Sequence, residues 1–369
     1  MAEEMQSRGG GDIGSHGRDM TSDNSMPPEA AATRMFQEAR EAPARVASQL
    51  AANNAPVIRI AEDLRRFRPR LVLTSARGSS DHAATFARYL FETQLGLVTA
   101  SASPSVTSVY GAHQDLSDCL FLVISQSGKS PDLLTAAAAA KKSGAMVLAL
   151  VNAEDAPLAA IADHVIPLKA GAELSVAATK SYICALSAIL HLTARWGGNE
   201  TLSRALDSLP AQLEAAWQLD WQPMVDLLCP AQNLFVLGRG LGLGVAQEAA
   251  LKFKETCGLH AEAFSSAEVK HGPMALLEKK LPVLMFAQND ETRPGLEALA
   301  QDWSQNGVNV LLAGRNVAGV KTLPVQDADA TIAPLLFAQT FYRWAATLSV
   351  ARGYDPDHPP HLKKVTETI

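Results

Sequence analysis

Residues 125–130 read Ser-Gln-Ser-Gly-Lys-Ser, at the point where the apolar run "CLFLVI" gives way to helical sequence. Hydroxyls, a glycine and a helix N-terminus together offer hydrogen-bond donors to an anion. A second loop of this kind, Gly78-Ser79-Ser80, follows the strand-like "RLVLTSA" and also opens a helix. Taken singly, a serine in such a place more often caps the helix. Five hydroxyls in two loops favour a ligand, so Ser125, Ser127 and Ser130 are expected to hold phosphate oxygens, with Ser79 and Ser80 approaching from the neighbouring loop. The chain has no GxxxxGK[ST], which argues against a nucleoside triphosphate. "GRGLGLG" has glycines at dinucleotide-like spacing, but no acidic residue ends the following strand to hold a ribose.

Groups for proton transfer lie elsewhere. In "QEAALKFKET", Glu248, Lys252 and Glu255 are spaced by four and three, which puts them on one helical face. A solvated salt-bridge ladder is the commoner fate of such a pattern. Here the helix follows a Gly-rich loop, so it starts at the ligand edge of a sheet. His271 precedes Gly272-Pro273, a turn, and a loop-borne histidine suits general acid–base chemistry. Lys364 lies in the C-terminal "HLKKVTETI", where a frayed tail is the usual outcome. His358 and His361 are separated by two prolines, which forbid the helix that would align them, and no metal is expected.

The elements that position these groups form a repeat. Strand, loop and helix recur at 70–93, again at 119–143, and short strands follow near 146–151 and 164–168. Their continuous apolar character implies burial on both faces of a parallel sheet, hence an α/β fold. "SVAATKSYICALSAILHLTARWG" reads as one long helix. The pattern then restarts: Arg239 follows Arg77 by 162 positions, Gln288 follows Gln126 by 162 and Gly307 follows Gly144 by 163. A period of that length indicates a duplicated domain. The expected organisation is a disordered leader over 1–30, a first domain over 31–195, a helical connection over 196–222 and a second domain with tail over 223–369. The hydroxyls occur in one copy only: Ala287-Gln288-Asn289 and Gly240-Leu241-Gly242 stand where the first copy has its serines. A single anion site in the first domain explains that asymmetry.

The chain has 369 residues and a net charge of −6, which argues against a general nucleic-acid binder. Four scattered cysteines without a CxxC suggest neither disulfides nor zinc, and a reduced cytoplasmic setting fits. No apolar run is long enough to span a membrane.

"SQSG" with Lys129-Ser130-Pro131-Asp132, "SVAATKSY", "EAALKFKET", "HAEAFSSAEVKHGP" and "HLKKVTETI" occur in an order that resembles the sugar isomerase (SIS) family, specifically the isomerase half of glucosamine-6-phosphate synthases. The resemblance runs from about residue 35 to the C-terminus. It implies two tandem SIS domains, each a doubly wound, flavodoxin-like parallel sheet flanked by helices. It implies Glu255 as the carboxylate that shuttles a proton between C1 and C2, assisted by Lys252, and His271 in ring opening. It implies Lys364 as the lysine that forms a Schiff base with, or polarises, the keto sugar. Gly78, Ser79, Ser80, Ser125, Gln126, Ser127, Ser130, Val176 and Glu248 match contacts to the substrate or its phosphate. In the synthase the histidine comes from the neighbouring subunit, which implies a homodimer with shared active sites. No cofactor is implied. Arg77 and Ala178 stand where the synthase pattern has Cys and Ser, and both bear on specificity.

The synthase's glutaminase half has no counterpart in this sequence. The expectation is therefore a stand-alone enzyme that deaminates glucosamine 6-phosphate to fructose 6-phosphate and ammonia. A fructosamine-6-phosphate deglycase or a galactosamine-6-phosphate deaminase is the alternative. A non-catalytic sugar-phosphate sensor would pair with a basic helix-turn-helix domain, and would not need Glu255, His271 and Lys364 together.

Overall fold

The computed structural model describes residues 27–279 and 281–364. Helices α1 (Pro28–Ala32), α2 (Arg34–Arg40) and α3 (Ala42–Phe67) lead into the first copy. That copy comprises β1 (Leu71–Ser75), α4 (Ser79–Leu95), β2 (Thr99–Ser101), α5 (Ser105–Ser108), β3 (Cys119–Ser125), α6 (Pro131–Lys142), β4 (Met146–Val151), α7 (Pro157–Ile161) and β5 (His164–Pro167). Three helices connect the copies: α8 (Lys180–Gly197), α9 (Glu200–Trp217) and α10 (Gln222–Leu228). The second copy comprises β6 (Asn233–Gly238), α11 (Leu243–Cys257), β7 (His260–Ser265), β8 (Val283–Phe286), α12 (Arg293–Gln305), β9 (Val310–Ala313), β10 (Lys321–Leu323) and α13 (Ala333–Ala351).

Both sheets are parallel and five-stranded, in the orders β2-β1-β3-β4-β5 and β7-β6-β8-β9-β10. This is the same flavodoxin-like winding twice. The repeat read from the sequence holds in the ladders: Val72 pairs with Thr99, and Leu234 with Ala261, each 162 positions on. Phe121 pairs with Val147, and Val283 with Val310, shifted by 162 and 163. The central strand β3 is buried at all seven positions, as a strand covered on both faces must be.

Three expectations shift. α1 already begins at Pro28, inside the segment assigned to the leader; the rest of that segment, 1–26, lies outside the described residues. The 196–222 segment is helical, but α9 buries Leu202, Leu206, Leu209 and Leu213 in a core shared by both copies, so it is part of the domain packing. The long helix expected from Ser175 starts only at Lys180. Glu173 accepts hydrogen bonds from the Thr179 and Ser181 amides at 3.0 and 3.1 Å, and from Ser181 Oγ at 2.6 Å. That carboxylate holds the preceding residues as a loop. Among the described residues no helix is long and apolar enough to cross a membrane.

Candidate active site

At the carboxyl edge of the first sheet two loops, the 175–179 segment and the C-terminal tail enclose a cleft of about 380 Å³. Gly78, Ser79, Ser80, Ser125, Gln126, Ser127, Ser130, Val176, Glu255 and Lys364 all line it, together with Arg77 and Ala178. Sequence separations of up to about 290 residues thus close onto one site.

Two hydroxyls of the 125–130 loop face backbone donors. Ser125 Oγ accepts from the Gly128 amide at 3.0 Å and Ser127 Oγ from the Lys129 amide at 3.3 Å. A hydroxyl that accepts from backbone still has its own proton to give. Ser130 is the N-cap residue of α6, yet its side chain makes no capping hydrogen bond. Gly78, at φ 54° and ψ −131°, takes a backbone conformation that a side chain would strain, and it turns β1 into α4. Ser79 is different. Its hydroxyl donates to Glu248 Oε1 at 3.1 Å and accepts from Lys252 Nζ at 3.0 Å, so its proton is already committed within the protein.

Beneath the cleft α11 crosses α4 closely. A Cβ at Gly244 would lie 2.7 Å from the His82 carbonyl oxygen, so only glycine permits this approach. The crossing buries a charged cluster. Lys252 Nζ lies 2.6 Å from Glu255 Oε2, 3.2 Å from Glu248 Oε1 and 3.0 Å from Ser79 Oγ, which uses all three ammonium protons. Burial alone would lower the Lys252 pKa. The charges of Glu248 and Glu255 outweigh burial and lift it well above the ordinary lysine value. Lys252 is therefore a fixed cation that orients Glu255, and not a nucleophile. Glu248 also accepts from Tyr342 Oη at 2.9 Å and faces His82 Nδ1 at 2.9 Å. Burial would raise its pKa; Lys252, followed by His82 and Tyr342, holds it below the usual carboxylate range.

Glu248 was expected among the substrate contacts. Instead it is fully buried, its oxygens are occupied by protein donors, and it does not line the cleft. Lys252 is likewise sealed from the cleft, whereas Glu255, with 21% of its side chain exposed, reaches it. His271 ends a 3-10 turn over Glu268–His271, is exposed, and does not line the cleft of its own chain.

The tail is docked. Lys364 Nζ donates to the Ser175 carbonyl at 2.7 Å and lies 3.4 Å from Glu173 Oε2. Glu173 thus serves both the 175–179 loop and the tail lysine. Arg77 donates through Nε to Asp132 Oδ2 at 2.9 Å, which fixes a half-exposed guanidinium at the rim of the cradle. The sequence reading did not single out Glu173, His82 or Tyr342. His82 lies three residues after Ser79 on α4, a helical spacing that offered a signal, and Glu173 stands just before a motif already noted. Tyr342, on a mostly apolar helix that is buried along nearly its whole length, offered none.

Residues 68–195 and 227–313 match the SIS domain family. Over 303 residues the chain is 33% identical to the glutamine–fructose-6-phosphate aminotransferase (isomerizing) of Legionella pneumophila, a stretch covering 78% of this chain and 50% of that protein. The chain spans about half the length of the curated relatives it matches. A candidate phosphosugar isomerase from Silicibacter pomeroyi is 43% identical and superposes with a TM-score of 0.85 over 88% of this chain and 100% of its own. The C-terminal domain of the glucosamine-fructose-6-phosphate aminotransferase of Francisella tularensis is 25% identical, with a TM-score of 0.81 over 90% of this chain and 100% of its own.

Proposed function

This chain belongs to the SIS domain family, and we propose that it is a phosphosugar isomerase that deaminates glucosamine 6-phosphate to fructose 6-phosphate and ammonia. The observation that carries the reading is the convergence of the serine cradle, Glu255 and Lys364 on one cleft. Relatives named as isomerizing aminotransferases of fructose 6-phosphate support amine chemistry on this scaffold. The phosphate binds Ser125, Ser127 and Ser130, which fixes the far end of the open-chain sugar. Glu255 takes the proton from C2 and returns it to C1, leaving an imine at C2; a positioned carboxylate is suited to this step. Lys364, held by Ser175 and Glu173, acts in one of two ways. Either it polarises the C2 imine, to which water adds as ammonia departs, or it attacks C2 and expels ammonia, giving a lysine Schiff base that water then hydrolyses to the ketone. Ammonia release from glucosamine 6-phosphate, galactosamine 6-phosphate and fructosamine 6-phosphate conjugates tests this directly. The expected outcome is turnover of glucosamine 6-phosphate above the others. No release from any of the three contradicts it.

One observation favours a second reading. Arg77 places a fixed cation at the cleft where the resemblance expects a neutral cysteine. A guanidinium there suits a substrate bearing a second anion, such as an amino-acid conjugate of fructosamine 6-phosphate. Release of the free amino acid from that conjugate, in place of ammonia from glucosamine 6-phosphate, separates the two.

His271 completes the site from a second subunit in this proposal. Its exposure on a turn away from its own cleft is what supports that role. Mixing His271→Ala chains with Glu255→Gln chains should then restore activity, because each mixed dimer has one intact site. Exchange of subunits without recovery contradicts a shared site.

A further inference from the structure

The second copy carries a cavity where the first carries a helix. In the first copy Leu148 pairs with His164, sixteen positions on; its counterpart Leu311 pairs with Lys321, ten positions on. The six missing residues correspond to α7. In the first copy α7 closes the sheet edge: the Leu158 amide donates to the Gly128 carbonyl at 3.2 Å, and a Cβ on Gly128 would meet Ala156 at 2.6 Å. Without that helix the carboxyl ends of β8, β9 and β10 stay open around a cavity of about 440 Å³, no smaller than the candidate active site. Cavities at this edge of an open α/β sheet are where ligands sit.

We propose that this cavity binds a phosphate monoester of a ring-shaped small molecule. Its polar wall carries two guanidinium groups, Arg293 and Arg315, and the amides of Asn289 and Asn316. Arg315 is 56% exposed and its nearest carboxylate, on Asp327, is 4.0 Å away, so its fork is open to a ligand. Arg293 is held by the Asn289 side-chain oxygen and lies 3.4 Å from Glu297 Oε1, so the open fork is that of Arg315. A guanidinium fork flanked by amide donors suits a tetrahedral dianion better than an uncharged sugar. The opposite wall is apolar, formed by Leu323, Pro324 and Phe337, and suits the face of a ring. The floor is preformed: Trp221, Phe286 and Phe337 pack in series with ring centroids 6.2 and 5.5 Å apart, and the Trp221 indole donates to the Pro324 carbonyl at 2.8 Å. None of these residues lines the first cleft.

Calorimetric titration of the full chain tests this, with fructose 6-phosphate, adenosine monophosphate and inorganic phosphate as probes. The phosphosugar arm predicts two sites per chain for fructose 6-phosphate, falling to one in Arg315→Glu. The nucleotide arm predicts one site for adenosine monophosphate, lost in Arg315→Glu while fructose 6-phosphate still fills its single site. Either result supports the proposal. Val325→Trp, which fills the cavity and leaves both arginines in place, should abolish the same binding. If neither organic probe shows binding that depends on Arg315 and on an open cavity, the proposal is overturned; binding of inorganic phosphate alone also overturns it. Arg315 lies outside the first cleft, so the variant should leave turnover at that site unchanged.

Discussion

The two copies share a winding and a register, and they have divided the labour between them. At the loop after the third-position strand, the first copy has Ser125-Gln126-Ser127 and the second Ala287-Gln288-Asn289. On the helix after the first strand the trade runs the other way. Phe86 and Leu90 of α4 are core residues; 162 positions on, α11 has Glu248 and Lys252. The copy with the serine loops has apolar residues at these two helix positions, and the copy without them has buried charge there. Neither half makes a site alone. The cleft exists because α11 crosses α4 closely enough to deliver Glu255 to the edge of the other sheet.

The comparison breaks first, and hardest, at the buried ion cluster. Lys252→Met leaves Glu248 buried without its cation and should cost about 3–5 kcal/mol in denaturant-unfolding experiments. Glu248→Met/Lys252→Met restores the apolar character of Phe86 and Leu90. It should recover part of that stability, because the buried Tyr342 hydroxyl and Ser79 hydroxyl lose their partner Glu248, and should not recover activity. A double variant as unstable as the single one would mean that the charges are not a coupled pair.

A smaller effect separates the serines. Ser127 has a free proton for the ligand, so Ser127→Ala should raise KM by roughly 10–100-fold, the value of a hydrogen bond to a charged group, and leave kcat near wild type. The Ser79 hydroxyl is spent on Glu248 and holds Lys252. Ser79→Ala should therefore lower stability by roughly 1–3 kcal/mol and leave KM little changed. Equal KM effects for the two would erase the distinction between cradle and support.

Much of this was legible because the duplication carries its own check: a register of 162 seen in the loops reappears in the strand ladders. The grouping of the two serine loops at one cleft was legible because the serines stand in one copy only. The edge strands β2 and β10 were not, since three residues on a sheet edge leave no pattern. β7, "HAEAFS", lacks both the apolar run and strict alternation, because its exposed edge faces solvent. That Glu248 is sealed and Glu255 open was also not readable from their spacing. Both lie on one helical face, and only the crossing with α4 decides which is sealed and which is open. The start of α8 was misread because Ser175–Thr179 favours a helix locally, while Glu173 binds the amides that would begin it.

The central claim is that the second copy supplies the base for a phosphosugar held by the first. The most direct measurement is solvent deuterium incorporation at C1 of fructose 6-phosphate, beside its binding affinity, in wild type and Glu255→Gln. The variant keeps shape and hydrogen bonding and loses basicity. It should bind the sugar phosphate as tightly as wild type while exchange and turnover fall by roughly 10²–10⁴, the usual contribution of a general base. Exchange at the wild-type rate in Glu255→Gln would contradict the account.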